Sequence, residues 1–258
     1  MTTSLDTIAA QLDAVLRAAD TPDYPNAVNG IQFAHRGPVH SVASAVDVSA
    51  ATIRGAARAG ANLLLVHHGL FWGGLEPLVG FRHERIRLLL EHDIAVYSSH
   101  LPLDAHAELG NSALLAAALQ LAPSGGFAKH ENIWCGVCGV SDEPTTALLL
   151  RAHEFASAYG GGAVASAFPA ERRTRKWAIC SGAGAGVSTL AEATAAGIDT
   201  LIVGEGPHWT AVDAPERGLV VIYAGHYATE TLGVQALGQL VSRQFGLPHQ
   251  FISSPTGL

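Results

Sequence analysis

The sequence predicts an α/β fold in which a largely parallel sheet is covered by helices. Over the first 120 residues, short apolar runs alternate with longer segments that have helical periodicity, as in chains of β-α units. The chain has 258 residues and is 48% hydrophobic, which is enough apolar material for a large core. The alternation pauses in the middle of the chain and then returns, so a second α/β segment is expected after the first.

The first half begins with a helix, because Leu5, Ile8, Leu12, Val15 and Leu16 recur at helical spacing and Ser4 precedes them as a cap. Strands are predicted at "HSVASAVDVS", "ANLLLV" and "IAVYSS". Helices are predicted at "AATIRGAARAG", around Phe81 to His92, and from about Asn111 to Leu121.

The second half begins near "APSGG", Ala122 to Gly126, where the composition changes. It contains a strand-like stretch broken by glycines, "FAKHENIWCGVCGV", and then a helix near Thr145 to Tyr159. Strands are predicted at "KWAIC", "DTLIVGE", "LVVIY" and "HQFIS". The helices between them are predicted at Ser188 to Ala196, near Trp209 to Glu216, and from Thr229 to Phe245, with a second boundary near Gly225.

The composition excludes several classes of function. The formal net charge is 15 − 22 = −7, so the chain has no basic field for nucleic acid. Three cysteines do not form a disulfide framework and favour a reducing compartment. The segment "MTTSLDTIAAQLDAV" lacks the basic and apolar regions of a signal peptide, and no apolar run approaches the ~20 residues that span a bilayer. We therefore expect a cytoplasmic protein without a membrane partner.

Three of the predicted strands end in residue types that bind metals. They are the segments "LLLVHHG", "IAVYSSHLPLDAH" and "LVVIYAGHYATE". Open α/β sheets bind ligands outside the carboxyl ends of their strands, so these side chains are candidates for one site. A lone histidine at a strand end is usually a loop residue, and a single HxxxE is common by chance. The coincidence at three strand ends favours a metal site.

The predicted ligands are three imidazoles and two carboxylates, His67, His68, Asp104, His226 and Glu230. On a regular strand His67 and His68 face opposite sides, but Gly69 permits the backbone to turn directly after them. Imidazoles bind one ion each and carboxylates bridge two, so the set suits two divalent ions about 3.5–4 Å apart. Mixed nitrogen and oxygen ligands fit Zn, Fe, Mn, Co or Ni.

The motifs "VHHGLFWGG", "SSHLPLDAHAELGNSALLAAAL" and "GHYATE" resemble the NIF-three-like family (Ngg-one-interacting factor three), dinuclear metal-centre proteins labelled GTP cyclohydrolase type-two homologues. The resemblance covers about Leu5 to Ile252 and implies the same five ligands. It also implies a ring-shaped homohexamer and two α/β domains, with residues 123–224 inserted between 1–122 and 225–258. Many members have "HHP" where this chain has "HHG", which we expect to alter the turn without removing a ligand.

The function that these observations favour is a hydrolase that uses a metal-activated water on a nucleotide or other phosphate-containing small molecule. Within "GEGPHW", His208 and then Glu205 are the candidates for proton transfer during catalysis. The alternative is a hexameric metal-binding scaffold or regulatory protein without catalytic activity.

Three further features of the sequence lie outside the five predicted ligands. "SGAGAG", Ser181 to Gly186, is either a tight turn or an anion-binding loop, and the basic residues just upstream (Arg172, Arg173, Arg175 and Lys176) are expected in a solvated loop. "WCGVC", Trp134 to Cys138, has the spacing of a redox motif but lies in a strand-like stretch. His100 is expected to support the metal site without ligating.

Overall fold

The computed structural model describes residues 2–258, which divide into two compact units. The first unit contains the chain up to His106 together with Gly233–Ser254, and the second contains Ala107–Leu232 with Pro255–Leu258. Among the described residues, no helix is both long enough and apolar enough to cross a membrane. Each unit combines one β-sheet with helices, so the α/β fold class that the sequence predicts is confirmed.

The first unit is built on a five-stranded sheet in the order β1-β4-β3-β2-β11. All neighbours in it are parallel except the edge strand β1. Numbered along the whole chain, its elements are α1 (Leu5–Leu16), β1 (Gly30–Phe33), β2 (Val42–Asp47), α2 (Ala50–Arg58), β3 (Leu63–His68), α3 (Gly80–Glu91), β4 (Ala95–Ser98), α4 (Leu101–Asp104) and β11 (His249–Phe251), with most of α10 (Thr231–Phe245).

The core of the first unit explains why its strands read as unbroken apolar runs. Leu63 to Val66 of β3 have no exposed surface, and α2 contributes Ile53 to the same cluster that Leu64 and Val66 enter. A central parallel strand is buried on both faces, so apolar residues fill successive positions instead of alternating. The predicted Ser4 cap of α1 is confirmed, since its side chain accepts a hydrogen bond from the backbone N–H of Thr7.

The second unit has a six-stranded mixed sheet in the order β5-β6-β8-β9-β10-β7. Only β8, β9 and β10 are parallel to one another. The elements are α5 (Asn111–Ala118), β5 (Pro123–His130), β6 (Ile133–Pro144), α6 (Thr145–Ala158), β7 (Val164–Ala165), β8 (Arg173–Cys180), α7 (Val187–Ala195), β9 (Thr200–Val203), α8 (His208–Glu216), β10 (Val220–Tyr223) and α9 (His226–Thr229).

Two expectations for the second unit are corrected. The predicted helix from Thr229 to Phe245 is two helices, α9 and α10, because the chain leaves helical geometry at Glu230. The basic residues are not in a solvated loop. Arg173 to Lys176 belong to β8, and Arg172 donates to the carbonyl oxygens of Asp199 and Gly218.

Candidate metal centre

The two adjacent histidines lie in the last two positions of β3. His67 is fully buried, His68 is partly buried, and their ring centroids are 4.8 Å apart. Nε2 of His67 lies 3.5 Å from Oδ2 of Asp104, the last residue of α4. The sequence prediction that His67, His68 and Asp104 are neighbours is therefore consistent with the geometry of the first unit.

Each of these imidazoles is oriented through Nδ1. Nδ1 of His67 lies 2.9 Å from the carbonyl oxygen of Ser99, and Nδ1 of His68 lies 2.9 Å from Oδ1 of Asp47. A carbonyl or carboxylate oxygen only accepts, so Nδ1 carries the proton and Nε2 keeps its lone pair. Metal-binding histidines in proteins are held in this tautomer by the same kinds of partner.

The glycine after the histidines has a different role from the one predicted. The backbone at Gly69 does not adopt a positive φ. A Cβ atom at this position would instead overlap the carboxamide of Gln32. That carboxamide accepts a hydrogen bond from the N–H of Leu70 and donates to the carbonyl oxygens of Ala27 and Val28. Gly69 thus makes room for the side chain that fixes the turn.

His100 is the third imidazole of this kind in the first unit. It lies just before α4, and one ring nitrogen each of His67, His68 and His100 falls within a group whose members are all within 4.8 Å of one another. Nδ1 of His100 lies 2.8 Å from Oδ1 of the buried Asp23. The indole of Trp72 contacts the His100 ring edge-on, with centroids 4.5 Å apart.

Asp23 is ionised within this cluster. Burial by itself would raise the pKa of its carboxyl, but the hydrogen bonds from His100, Asn29 and Leu101 and the charge of His100 outweigh burial and lower the pKa. The sequence analysis missed both Asp23 and Asp47. Asp47 ends β2 next to β3, so the rule that found the histidines, polar residues at strand ends, also applies to it.

The other two predicted ligands are paired in the second unit. His226 begins α9, and its Nε2 lies 3.1 Å from Oε2 of the buried Glu230. Its Nδ1 lies 2.7 Å from Oε1 of Glu205, which follows β9. Burial would lower the pKa of His226, but the hydrogen bonds and negative charges of Glu230 and Glu205 raise it to about 9.

The "SGAGAG" loop forms one wall of this pair. Gly182 has a φ of +63°, and a Cβ atom there would overlap the Glu230 carboxylate and lie 3.3 Å from Nε2 of His226. Five loop amides donate to protein acceptors, which are Ser112 Oγ, Thr229 Oγ1, the carbonyl oxygens of Gly182 and Glu205, and Thr189 Oγ1. The loop is therefore a tight turn beside the carboxylate, in agreement with the simpler of its two interpretations.

His208 is not hydrogen-bonded to this pair. It is exposed as the first residue of α8, three residues after Glu205. Within residues 2–258 it makes no hydrogen bond or ion pair with Glu205, His226 or Glu230. "WCGVC" lies in the strand β6 and not at the start of a helix, and none of the three cysteines is in a disulfide.

The donor chemistry of both units fits divalent metal ions. Imidazoles with Nδ1 bound to an acceptor, next to buried carboxylates, are the donors that first-row transition ions prefer. The first unit offers His67, His68 and Asp104 of the predicted set, and the second offers His226 and Glu230.

The fold and these donor groups define a two-unit α/β protein with candidate metal-binding residues in each unit. The chain belongs to the Duf34/NIF3 family (NGG1p interacting factor 3), whose model matches residues 3–256. The family resemblance of the sequence motifs is thereby confirmed.

Relatives of known sequence and structure match almost the whole chain. A "GTP cyclohydrolase 1 type 2 homolog" of Deinococcus radiodurans is 38% identical, over 98% of this chain and 94% of the relative. The protein of the same name from Halobacterium salinarum is 42% identical, over 94% of this chain and 95% of the relative. The solved structure titled "Structural genomics, protein ybgI, unknown function" has a TM-score of 0.88 at 31% identity, covering 99% of this chain and 100% of that one.

Proposed function

We propose that this protein is a hydrolase that depends on two divalent metal ions and acts on a nucleotide or another phosphate-containing small molecule. One observation carries the proposal: each histidine of the predicted set has its Nδ1 next to an oxygen acceptor, which supports Nε2 as the atom that would bind a metal ion. A histidine that served packing alone has no need of this repeated arrangement.

The proposed ligands of the two ions are His67, His68, Asp104, His226 and Glu230. The ions are Zn, Fe, Mn, Co or Ni, because mixed imidazole and carboxylate donors suit all five. A pair of such ions supplies Lewis acidity and lowers the pKa of a bound water. Glu230 is almost entirely buried, so its carboxylate is held in one position by the surrounding loop.

His208 is the first candidate for moving a proton during turnover and Glu205 the second. His208 is exposed and close in sequence to Glu205, and an imidazole can both accept and donate a proton. The Glu205 side chain is 42% exposed, and its Oε1 contacts Nδ1 of His226. In this proposal Glu205 orients the His226 imidazole and can also exchange a proton with solvent.

The substrate class rests on the names of the relatives. "GTP cyclohydrolase 1 type 2 homolog" refers to a nucleotide substrate. We therefore propose a nucleotide or a related phosphate ester, acted on in the cytoplasm, which the absence of disulfides among the three cysteines supports.

We further propose that the chain assembles as a homohexamer. The support is a set of exposed apolar side chains in the first unit that includes Phe71, Leu75, Leu78, Val79 and Phe81. Exposed apolar patches of this kind mark interaction surfaces. Light scattering is expected to give the mass of about six chains, and a monomeric mass at micromolar concentration would contradict the assembly.

The test of the proposed function is a substrate screen on protein of known metal content. Wild type is expected to hold close to two ions per chain and to hydrolyse at least one nucleotide or phosphate ester. Glu230→Ala should lose metal and activity together, whereas His208→Ala should keep both metals and lose most of the activity. If metal-loaded wild type hydrolyses none of the compounds, the non-catalytic scaffold becomes the better explanation.

A further inference from the structure

We propose that Trp72 and Arg85 form a substrate-recognition subsite in the first unit, in which the indole of Trp72 stacks on the base of a nucleotide and the guanidinium of Arg85 binds its phosphate. This inference deepens the proposed function and rests on its substrate class. It assigns recognition of the substrate to two residues outside the five predicted ligands, and neither of the two supplies a donor atom for a metal ion.

Trp72 is a large aromatic side chain that lies beside the histidines and remains accessible. Its ring centroid lies 5.1 Å from that of His68 and 4.5 Å from that of His100, yet 40% of the side chain is exposed. Keeping this apolar surface in water is unfavourable, and a ligand that covers it recovers that free energy. A nucleobase is such a ligand, because stacking requires only an aromatic face that the base can reach.

The loop that carries Trp72 is braced directly after the indole. A Cβ atom at Gly73 would lie 3.1 Å from Oε1 of Glu76 and 3.2 Å from Nη2 of Arg82, and these two side chains form an ion pair with each other. The ion pair therefore packs against the backbone that follows Trp72. An indole that is already held in place loses little conformational entropy when a base stacks on it, which favours binding.

Arg85 is the cation of the subsite. Helix α3 contains three arginines, and Arg82 and Arg87 form ion pairs with glutamates. Within the described residues 2–258 Arg85 forms none, although its side chain is partly buried and its guanidinium lies 5.0 Å from the centroid of the Phe81 ring. A partly buried guanidinium without a carboxylate partner favours an anionic ligand, and its planar set of donors matches the oxygens of a phosphate.

Electrostatic interactions connect Arg85 with the surroundings of His68. Burial lowers the pKa of the Arg85 guanidinium and the positive charge of Arg82 adds to this effect, while the negative charge of Asp47 opposes both. Oδ1 of the same Asp47 lies 2.9 Å from Nδ1 of His68, whose ring Trp72 contacts. An aromatic face and a cation therefore both lie near His68, and a flat base joined to a phosphate has the two groups that they recognise.

The experiment measures, by titration calorimetry on the full chain of known metal content, the binding of three probes that divide a nucleotide into its parts. GMP has a base and a phosphate, guanosine has only the base, and ribose 5-phosphate has only the phosphate. Wild type is expected to bind GMP more tightly than either part. Each titration is repeated after treatment with a chelator, so that turnover of GMP by bound metal cannot imitate binding.

The two residues should act on different probes. Trp72→Ala should weaken the binding of GMP and guanosine by about 10-fold or more and leave ribose 5-phosphate unchanged, whereas Trp72→Phe should retain most of the affinity for guanosine. Arg85→Gln should weaken the binding of GMP and ribose 5-phosphate by about 10-fold or more and leave guanosine unchanged. Trp134→Ala and Arg58→Gln, which change an exposed indole of the second unit and an exposed guanidinium of α2, are the matched controls.

The inference is overturned if wild type binds none of the three probes at millimolar concentration, or if Trp72→Ala or Arg85→Gln changes the affinities for guanosine and ribose 5-phosphate to the same extent. An equal loss for both probes in Trp72→Ala would show that the indole only supports the fold around the histidines. The proposed function has a separate test. If metal-loaded wild type hydrolyses no compound of the screen but binds the probes in the expected pattern, the hydrolase is contradicted and the subsite is supported.

Discussion

Oε1 of Glu205 lies 2.7 Å from Nδ1 of His226, so a residue predicted as a proton carrier is bound to a predicted metal ligand. The contact orients the imidazole and makes Nε2 of His226 a stronger electron-pair donor toward a metal ion. Glu205 and Glu230 therefore act on opposite nitrogens of one ring.

The Glu205–His226 contact predicts that Glu205→Gln lowers metal affinity by about 10–100-fold without unfolding the protein. The amide can still approach Nδ1 but no longer polarises the ring as a carboxylate does. Competition with a chromophoric chelator measures the affinity. Glu216→Gln, which changes an exposed carboxylate on α8, is the control and should have no effect. Equal affinities for Glu205→Gln and wild type would show that the contact does not tune the ligand.

Gly182→Ala should disturb the candidate metal-binding residues of the second unit. The new Cβ atom would overlap the Glu230 carboxylate, and a φ of +63° adds backbone strain of about 1–2 kcal/mol. We expect a lower melting temperature in metal-free protein and weaker metal binding. Gly186→Ala in the same loop is the control, because nothing lies within 4 Å of its Cβ position and its φ of −163° is extended. Equal metal affinities in the two variants would contradict the steric argument.

Trp72 should report metal binding through its fluorescence. Its ring lies 5.1 Å from that of His68 and 4.5 Å from that of His100, measured between centroids. Open-shell ions such as Co²⁺ and Ni²⁺ quench an indole at contact distance, so titration is expected to reduce the emission. Trp72→Phe should abolish most of the quenching, and Trp134→Phe, an exposed indole of the second unit, should leave it intact. Quenching that survives in Trp72→Phe would place the bound ion elsewhere.

The elements that could be predicted from the sequence are helices with one apolar face and strands that are buried on both faces. β3 and β4 follow from apolar runs, and α1 follows from its periodicity and its Ser4 cap. The short edge strand β1 is not apparent, because an edge position needs neither continuous burial nor strict alternation. The break between α9 and α10 is likewise invisible, since residues on both sides of Glu230 have helical character.

The candidate site also contains residues that could be predicted from the sequence and residues that could not. Its five predicted ligands could be named because they follow strands, where α/β sheets place their ligands. Asp23 could not be predicted, since its partner His100 is 77 residues away and only the folded chain brings them together. The contact between Gly182 and Glu230 is also tertiary, and in the sequence "SGAGAG" indicates either a tight turn, the more common case, or an anion-binding loop.

His249 should make the metal-free protein less stable in mildly acidic solution. Its Nε2 lies 2.9 Å from Oγ of the buried Ser44, and its ring lies against Gly238 of α10. Burial lowers the pKa of His249 below its usual 6.5, because the charged imidazolium loses solvation in the fold. At a pH between the two pKa values, the unfolded chain binds the proton and the folded chain does not. The contribution of His249 to stability is therefore complete above pH 6.5 and decreases as the pH falls from there to the folded pKa.

The variant that isolates this effect is His249→Gln, which keeps a hydrogen-bonding group near Ser44 but does not titrate. Urea unfolding of chelator-treated protein should show that wild type loses more stability than His249→Gln as the pH is lowered stepwise from above 6.5 to below it. His92→Gln, which removes an exposed imidazole of the same unit, should follow the wild-type curve. If His249→Gln and wild type lose stability in parallel over this range, burial of His249 does not carry the acid sensitivity.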